Sequence, residues 1–83
     1  MQITLKLYAT LTPHLPAGAR RNVATLEVAD GASVAGVIDD LHLPPALVHL
    51  VLVNGSFVGP EDRAARVLRA GDALAVWPPV AGG

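Results

Sequence analysis

The sequence predicts an α+β fold in which one main helix covers a mixed sheet of four to five strands. Three observations lead to this prediction: an alternating apolar pattern opens the chain, a single helical apolar stripe follows, and several short apolar segments separated by turn residues complete it. The 83 residues are enough for one domain and too few for two.

The first strand is predicted from the alternation of Ile3, Leu5 and Leu7 with more polar neighbours. A period of two buries one face of a strand, and it places Tyr8 on the face opposite the core. Residues 12–22 contain two prolines, a glycine and a basic pair, and therefore predict a loop. Residues 23–28 alternate again, and the length of the connection suits a hairpin with the first strand.

A helix is predicted next, with Ser33 as its N-cap, because a serine side chain can accept a hydrogen bond from a free N–H group of the first turn. The following apolar residues fall at i, i+3, i+4 and i+7, which gives one stripe on a helix of about ten residues. They are Val34, Val37, Ile38 and Leu41. We expect Pro44 and Pro45 to end the helix, since proline disfavours helical geometry in the residue before it.

The second half of the chain predicts three short strands. Residues 50–53 are all apolar, as in an interior strand, and Asn54 with Gly55 is a strong two-residue hairpin signal. Residues 57–58 then begin the return strand, and residues 62–66 form one helical turn. Residues 73–77 are the last strand, and alternation turns Trp77 away from the core face.

The resulting order is β-β-α-β-β-β, and the first and last strands are expected to lie side by side in the centre of the sheet. This order is typical of the β-grasp, or ubiquitin-like, roll. We therefore expect a β-grasp domain over residues 1–77 and a flexible tail over residues 78–83, which begins with two prolines and ends with two glycines.

Composition excludes several classes of function. There is no cysteine, so disulfides, thiolate metal sites and cysteine nucleophiles are absent. Six basic residues against seven acidic ones give no support for nucleic-acid binding. The longest apolar run is far too short to span a membrane. Small secreted domains usually contain disulfides, so their absence here predicts a cytoplasmic protein.

Other polar residues do not suggest a catalytic or metal centre. The three histidines have no metal-ligand spacing, and the two pairs of adjacent carboxylates should diverge in a regular element. These are His14, His42 and His49, and Asp39-Asp40 and Glu61-Asp62. With no nucleophile–base pair, we expect no metal, no bound cofactor and no enzyme acting alone.

The feature with chemical content is the pair Gly82-Gly83 at the end of the sequence. Residues without a Cβ can enter a channel too narrow for any side chain. A terminal carboxylate is ionised near neutral pH and can attack the α-phosphate of ATP. The product would be an acyl-adenylate that a sulfur or amine nucleophile could open.

On these residues the sequence resembles the MoaD/ThiS family of ubiquitin-like sulfur carriers, and most of all the small subunit of molybdopterin synthase. The resemblance covers the whole chain, and the ending Pro78-Pro79-Val80-Ala81-Gly82-Gly83 is its most specific part. Its other specific parts are the opening strand that runs into Tyr8-Ala9, the turn Val53-Asn54-Gly55 before Phe57, and Ala70-Gly71-Asp72. Residues 12–22 and 43–49 depart from the nearest branch.

The resemblance implies that a partner adenylyltransferase of the ubiquitin-activating type uses ATP to activate the Gly83 carboxylate. A thiocarboxylate then forms on Gly83, and Gly82 permits insertion of the tail into the large synthase subunit, where sulfur passes to a pterin precursor. The family docks both partners on an exposed apolar patch of its sheet. The matching positions are the three aromatic residues of the chain, Tyr8, Phe57 and Trp77, extended by Val80 and Ala81.

Several alternatives stay open at this point. The pattern leaves the facing of Phe57 undecided, and all three aromatic side chains could instead fill the core. The protein could serve the thiamine pathway or another sulfur pathway, or form isopeptide bonds as a protein modifier. It could also be an interaction module with an inert tail.

Overall fold

A computed structural model describes residues 1–79 of the chain. Five strands form one sheet in the order β2-β1-β5-β3-β4, and one α-helix covers it. The strands are β1 (Gln2–Leu7), β2 (Val23–Glu27), β3 (Leu50–Val53), β4 (Ser56–Phe57) and β5 (Ala73–Trp77), and the helix is α1 (Val34–Asp40). Strands β1 and β5 are parallel, and every other pairing is antiparallel. The mixed sheet and the central pairing of the first and last strands confirm the predicted architecture.

The core lies between α1 and the sheet face that it covers. The buried side chains of β1 alternate as the sequence predicted, and they are fully or almost fully buried. Strand β5 is instead buried at three consecutive positions, Leu74, Ala75 and Val76. The most completely buried set is Ile3, Leu5, Leu7, Leu11, Val34, Val51, Val53, Leu68, Leu74 and Val76. These residues are all aliphatic, so the core of the described chain contains no aromatic ring.

Helix α1 begins at the predicted cap. The Ser33 Oγ accepts a hydrogen bond from the Gly36 N–H at 3.0 Å. The first-turn N–H groups of Val34 and Ala35 donate to carbonyls of the 63–66 segment, both at 2.9 Å, so this end of the helix has no unpaired donors there. At its other end the helix is shorter than predicted, with seven residues. The chain leaves it at His42, which has a φ of 54°, so Pro44 is not what ends it.

Two irregular segments differ from the prediction. Ala9–His14 is a 3-10 helix that overlaps the predicted loop, and its Leu11 is completely buried in the core. Short 3-10 turns also form at Pro45–Leu47 and Pro60–Asp62, and the latter lies earlier than the predicted helical turn at 62–66. The Arg66 N–H nevertheless donates to the Asp62 carbonyl at 3.0 Å, so one helical hydrogen bond does form there. Proline is compatible with all three segments because its φ suits a helical turn.

The hairpin between β3 and β4 turns as predicted. Asn54 has a φ of 51° and Gly55 a φ of 83°, and two consecutive residues with positive φ match a type I′ turn. The return strand Ser56–Phe57 begins one residue earlier than predicted. Across residues 1–79, no helix has the length and apolar character needed to cross a membrane.

Candidate functional site

The sheet face that α1 does not cover carries an apolar patch. We define the open-face patch as Tyr8, Leu50, Leu52, Phe57, Ala75 and Trp77. Alternation along the strands, which Tyr8 continues just after β1, puts these side chains opposite the core residues. None of them belongs to the core cluster, although Ala75, on central strand β5, is itself buried. The prediction that Tyr8 and Trp77 lie off the core face is therefore confirmed.

Tyr8 and Trp77 lie together at one end of the open-face patch. Their ring centroids are 4.2 Å apart and their planes differ by 3°, so the two rings are stacked. The parallel register of β1 and β5 pairs Leu7 with Val76, and the residue that follows each of them is one of the two aromatics. Both side chains are half-buried, which leaves part of each ring exposed to solvent.

Phe57 stands at the other side of the patch, on edge strand β4. It is 63% exposed, the largest exposure of any large apolar side chain in the described residues. The register places it opposite Leu52, and Leu52 opposite Ala75 on the neighbouring strand. The structure therefore settles the facing that the sequence pattern left open, and puts Phe57 on the open face.

The sequence reasoning missed Leu50 and Leu52 as members of this surface. Leu50 lies opposite Trp77 and Leu52 lies opposite Ala75, and both side chains are half-buried. The signal was present, because β3 is apolar at all four positions while a single helix can cover only one face of the sheet. A continuous apolar strand in this setting indicates a second apolar surface.

One cation lies inside this face. Lys6, the single lysine of the chain, is half-buried and lies in register between Val23 on β2 and Ala75 on β5. Its position continues the row of Phe57, Leu52 and Ala75 across the sheet. A partner that covers the open-face patch must therefore either pair this ammonium group or leave it a path to water.

The last strand ends in a fixed position beside the aromatic stack. Strand β5 has a neighbour on both sides, and the His49 N–H donates to the Trp77 carbonyl at 3.1 Å. Pro78 is buried and Pro79 is exposed. The predicted tail residues Val80, Ala81, Gly82 and Gly83 lie outside the described residues, so their predicted roles remain predictions.

A polar link joins two of the turns on which the resemblance rests. The Asn54 side-chain amide donates to Asp72 Oδ1 at 2.9 Å, and the Ala73 N–H donates to Asn54 Oδ1 at 2.9 Å. The Arg69 N–H donates to Asp72 Oδ2, also at 2.9 Å. This backbone hydrogen bond, followed by that from Asn54, lowers the pKa of Asp72 from its ordinary value. The link joins the β3–β4 hairpin to the turn before β5, and it suggests a structural role.

The remaining polar candidates do not converge. Within residues 1–79, no group of three or more histidine or acidic side chains is placed to hold a metal ion. Asp39 and Asp40, at the end of α1, are both exposed. The arrangement therefore offers a docking surface and an anchored strand end, and the described part of the chain brings no catalytic side chains together.

Several proteins of known structure are similar to this chain over most or all of its length. A protein HVO 2177 from Haloferax volcanii is 32% identical, with a TM-score of 0.77, over all of this chain and 87% of its own. SAMP1 from the same organism is 26% identical over the full length of both chains, with a TM-score of 0.68. A putative molybdopterin converting factor subunit 1 from Pyrococcus furiosus is 22% identical, with a TM-score of 0.68, over 95% of this chain and 98% of its own, and at that identity it shows the fold alone.

No curated protein matches the sequence. The model of the ThiS family matches residues 14–83, which include all of the described chain from His14 onward and the tail. The solved structures that resemble this chain are β-grasp, ubiquitin-like proteins. The chain therefore belongs to the MoaD/ThiS family of ubiquitin-like sulfur carriers and modifiers.

Proposed function

We propose that the protein is a sulfur carrier whose Gly83 carboxylate is converted to a thiocarboxylate by partner enzymes. The observation that carries the proposal is the position of the last strand: β5 ends beside an exposed apolar patch, and six residues later the sequence reaches Gly82-Gly83. A docked partner would hold the globular part by the patch while the tail enters its reaction site.

The chemistry needs only the terminal carboxylate from this chain. A carboxylate oxygen attacks the α-phosphate of ATP, the bond to pyrophosphate breaks, and an acyl-adenylate forms. A sulfur nucleophile supplied by a partner, at the oxidation level of sulfide, then attacks the acyl carbon, and AMP leaves with the carboxylate oxygen. The adenylyltransferase binds the ATP, so the carrier itself holds no cofactor and acts as a co-substrate.

The open-face patch would bind the adenylyltransferase and the sulfur-accepting enzyme in turn. Aromatic side chains are enriched in protein interfaces because they bury a large area with few rotatable bonds. Tyr8, Phe57 and Trp77 supply that area, and Val80 with Ala81 would extend the contact along the tail. Using one surface for both partners ensures that only one of them is bound at a time.

For the pathway, we propose molybdenum or tungsten cofactor biosynthesis, with the large subunit of molybdopterin synthase as acceptor, in the cytoplasm. The ending Pro78-Pro79-Val80-Ala81-Gly82-Gly83 supports this branch. The alternatives are a sulfur carrier of the thiamine pathway or of another sulfur metabolite. Incubation of the thiocarboxylated chain with a synthase large subunit and its pterin precursor tests the branch, because only the correct acceptor removes the sulfur.

Intact mass spectrometry tests the proposal directly. The chain is incubated with an activating enzyme, ATP and a sulfur donor, and its mass should rise by the difference between sulfur and oxygen. The same spectrum shows whether the purified chain ends at Gly83. A variant lacking Gly83 is the matched control and should show no change. No rise with a partner that modifies its own cognate carrier would contradict the proposal.

A second candidate is a protein modifier, and the similarity to SAMP1 favours it, since that protein is named small archaeal modifier protein 1. A modifier shares the adenylation step but transfers the acyl group to an amine. Immunoblots of cell lysates would then show high-mass conjugates that disappear when Gly83 is deleted. Unconjugated protein alone would argue against a modifier. Unchanged function after deletion of Gly82 and Gly83 would instead indicate an inert tail.

A further inference from the structure

A small apolar groove lies on the helix side of the sheet, between β2 and α1. It has a volume of about 230 Å³, and its apolar lining is formed by Leu26, Val28, Ala32, Val37 and Leu41. All of these except Val37 are only half-buried, although they are apolar. Sites for drug-sized ligands and cofactors usually exceed about 300 Å³, so this groove suits one or two aliphatic side chains better than a cofactor.

The strand that borders this groove is an edge strand with free main-chain groups. Strand β2 pairs only with β1 among the described strands. The Leu7 N–H donates to the Asn22 carbonyl at 3.0 Å, and the Val28 N–H donates to the Met1 carbonyl at 2.8 Å. Antiparallel pairing alternates along a strand, so the N–H and C=O groups of Thr25 and Glu27 point outward.

The other edge positions of the sheet are either already hydrogen-bonded or belong to a very short strand. Val23 exchanges two hydrogen bonds with Arg20, at 2.9 and 3.0 Å, which covers the first outward position of β2. The opposite edge strand, β4, has two residues. Within the described chain, Thr25 and Glu27 therefore form the longest open stretch of sheet edge, and it runs beside the groove.

The charge around the groove is negative. Glu27 and Asp40 line it and Asp30 lies next to it, and all three are exposed. The Met1 amino group contacts the Glu27 and Asp30 carboxylates at 3.3 and 3.6 Å, so one positive charge is shared by two negative ones. The net negative charge favours a ligand with basic residues. It disfavours pairing with a second copy of the chain, because two negative rims would meet.

From these observations, we propose that the β2 edge and the β2–α1 groove bind an extended apolar peptide segment flanked by lysine or arginine. The segment adds a strand to the sheet through the outward groups of Thr25 and Glu27. Alternate side chains of an added strand point to the same face, so one or two of them enter the groove. This surface lies on a different part of the molecule from the open-face patch, so a segment of this kind can bind while the patch is occupied.

The probe for this site is a synthetic nine-residue peptide with five alternating valine and isoleucine residues between two pairs of lysines. Titration of the full chain, followed by two-dimensional amide NMR, should give saturable shifts concentrated at residues 24–29 and 37–41. The Glu27 amide proton should become protected from exchange. A matched peptide with proline at its centre lacks one donor and should bind about tenfold more weakly.

Three variants separate edge pairing from non-specific attraction. Thr25→Pro removes an outward N–H group, and proline is tolerated on an edge strand when its nitrogen faces solvent. The affinity of Thr25→Pro for the peptide should be about tenfold or more lower than that of the unaltered chain. Thr25→Ser keeps the N–H group and should bind the peptide as tightly as the unaltered chain. Asp40→Asn should weaken binding and reduce its salt dependence.

Three outcomes would overturn the proposal: no saturable shifts at millimolar peptide, shifts confined to the open-face patch, or equal binding by Thr25→Pro and Thr25→Ser. If Thr25→Pro disturbs the fold, as its amide spectrum would show, the proline-containing peptide supplies the same test on the unaltered chain. A concentration-dependent dimer whose contacts map to β2 would show that the edge binds a second copy, and would also overturn the proposal.

Discussion

The Tyr8 ring lies parallel to the Trp77 indole, with 4.2 Å between their centroids and 3° between their planes. This contact joins the end of the first strand to the end of the last strand, which are almost the whole chain apart in sequence. It lies on the face without a helix, so it contributes little to the core. Because Trp77 is the last residue of β5, the stack is the part of the open-face patch nearest in sequence to the predicted tail.

Removing the Tyr8 ring measures how much the stack contributes to the stability of the fold. Tyr8→Ala should lower the free energy of unfolding by about 1 kcal/mol or more, because the usual contribution of an aromatic pair adds to the apolar area that the half-buried ring loses. Tyr8→Phe keeps the ring and should change the free energy of unfolding little. Because Trp77 is the only tryptophan, its emission spectrum reports the contact directly. We expect a changed spectrum for Tyr8→Ala and an almost unchanged one for Tyr8→Phe. Urea unfolding that gives equal losses for both variants would show that the ring contact carries no stability.

Phe57 provides a test of the docking surface with little effect on stability. Its side chain is 63% exposed, so Phe57→Ser should change the free energy of unfolding by less than about 0.5 kcal/mol. Its loss of contact area should nevertheless weaken binding to the adenylyltransferase about tenfold or more, as measured by calorimetry.

Val67 supplies the matched control for this measurement. It is an exposed apolar residue, 48% accessible, and lies outside the five strands, where it pairs with Ser33 in an isolated bridge. Val67→Ser should leave partner affinity unchanged. If Val67→Ser and Phe57→Ser weaken binding equally, the open-face patch is not the docking surface.

The alternating and turn signals of this sequence predict its sheet well. Residue parity places Tyr8 and Trp77 on the open face because a strand with a buried side has only two directions for its side chains. The Asn54-Gly55 pair predicts its turn because few other residues tolerate two successive positive φ angles. These are local rules, and the structure follows them.

What the sequence could not predict depends on contacts between distant segments. Leu11 is completely buried although it sits in a stretch that reads as a loop, because tertiary packing and not periodicity determines its position. The helix ends at Asp40 because His42 has a positive φ, and a histidine in the sequence does not by itself predict that conformation. The groove between β2 and α1 likewise arises from the distance between two elements, and no single segment encodes it.

Truncating a side chain should lower the free energy of unfolding much more on the core face of the sheet than on the open face. Leu74 is completely buried between the sheet and α1, so Leu74→Ala should cost about 2–5 kcal/mol and leave a cavity. Leu52→Ala, on the half-exposed open face, removes the same atoms and should cost clearly less. Urea unfolding of the two variants measures the difference. Similar losses would mean that the open face is packed as tightly as the core, which would contradict its role as a free surface.

Asp72 should make the stability of the protein depend on pH in the acid range. Hydrogen bonds from the Arg69 N–H and from Asn54 favour its charged form and lower its pKa in the folded state. A group with a depressed folded pKa stabilises the fold above its unfolded pKa of about 3.9, and this contribution is lost as the pH falls through the lower folded value. Asp72→Asn should therefore be less stable than the unaltered chain at neutral pH, and the difference should shrink below about pH 4.

Urea unfolding of both chains across this pH range measures the effect, and NMR titration of the Asp72 carboxyl carbon gives the folded pKa independently. A stability difference that stays constant with pH, together with a carboxyl titration at the ordinary value, would show that the hydrogen bonds do not favour the ionised form. Since Asp72 joins the β3–β4 turn to the start of β5, a narrowing difference would also show that this link secures the strand from which the tail extends.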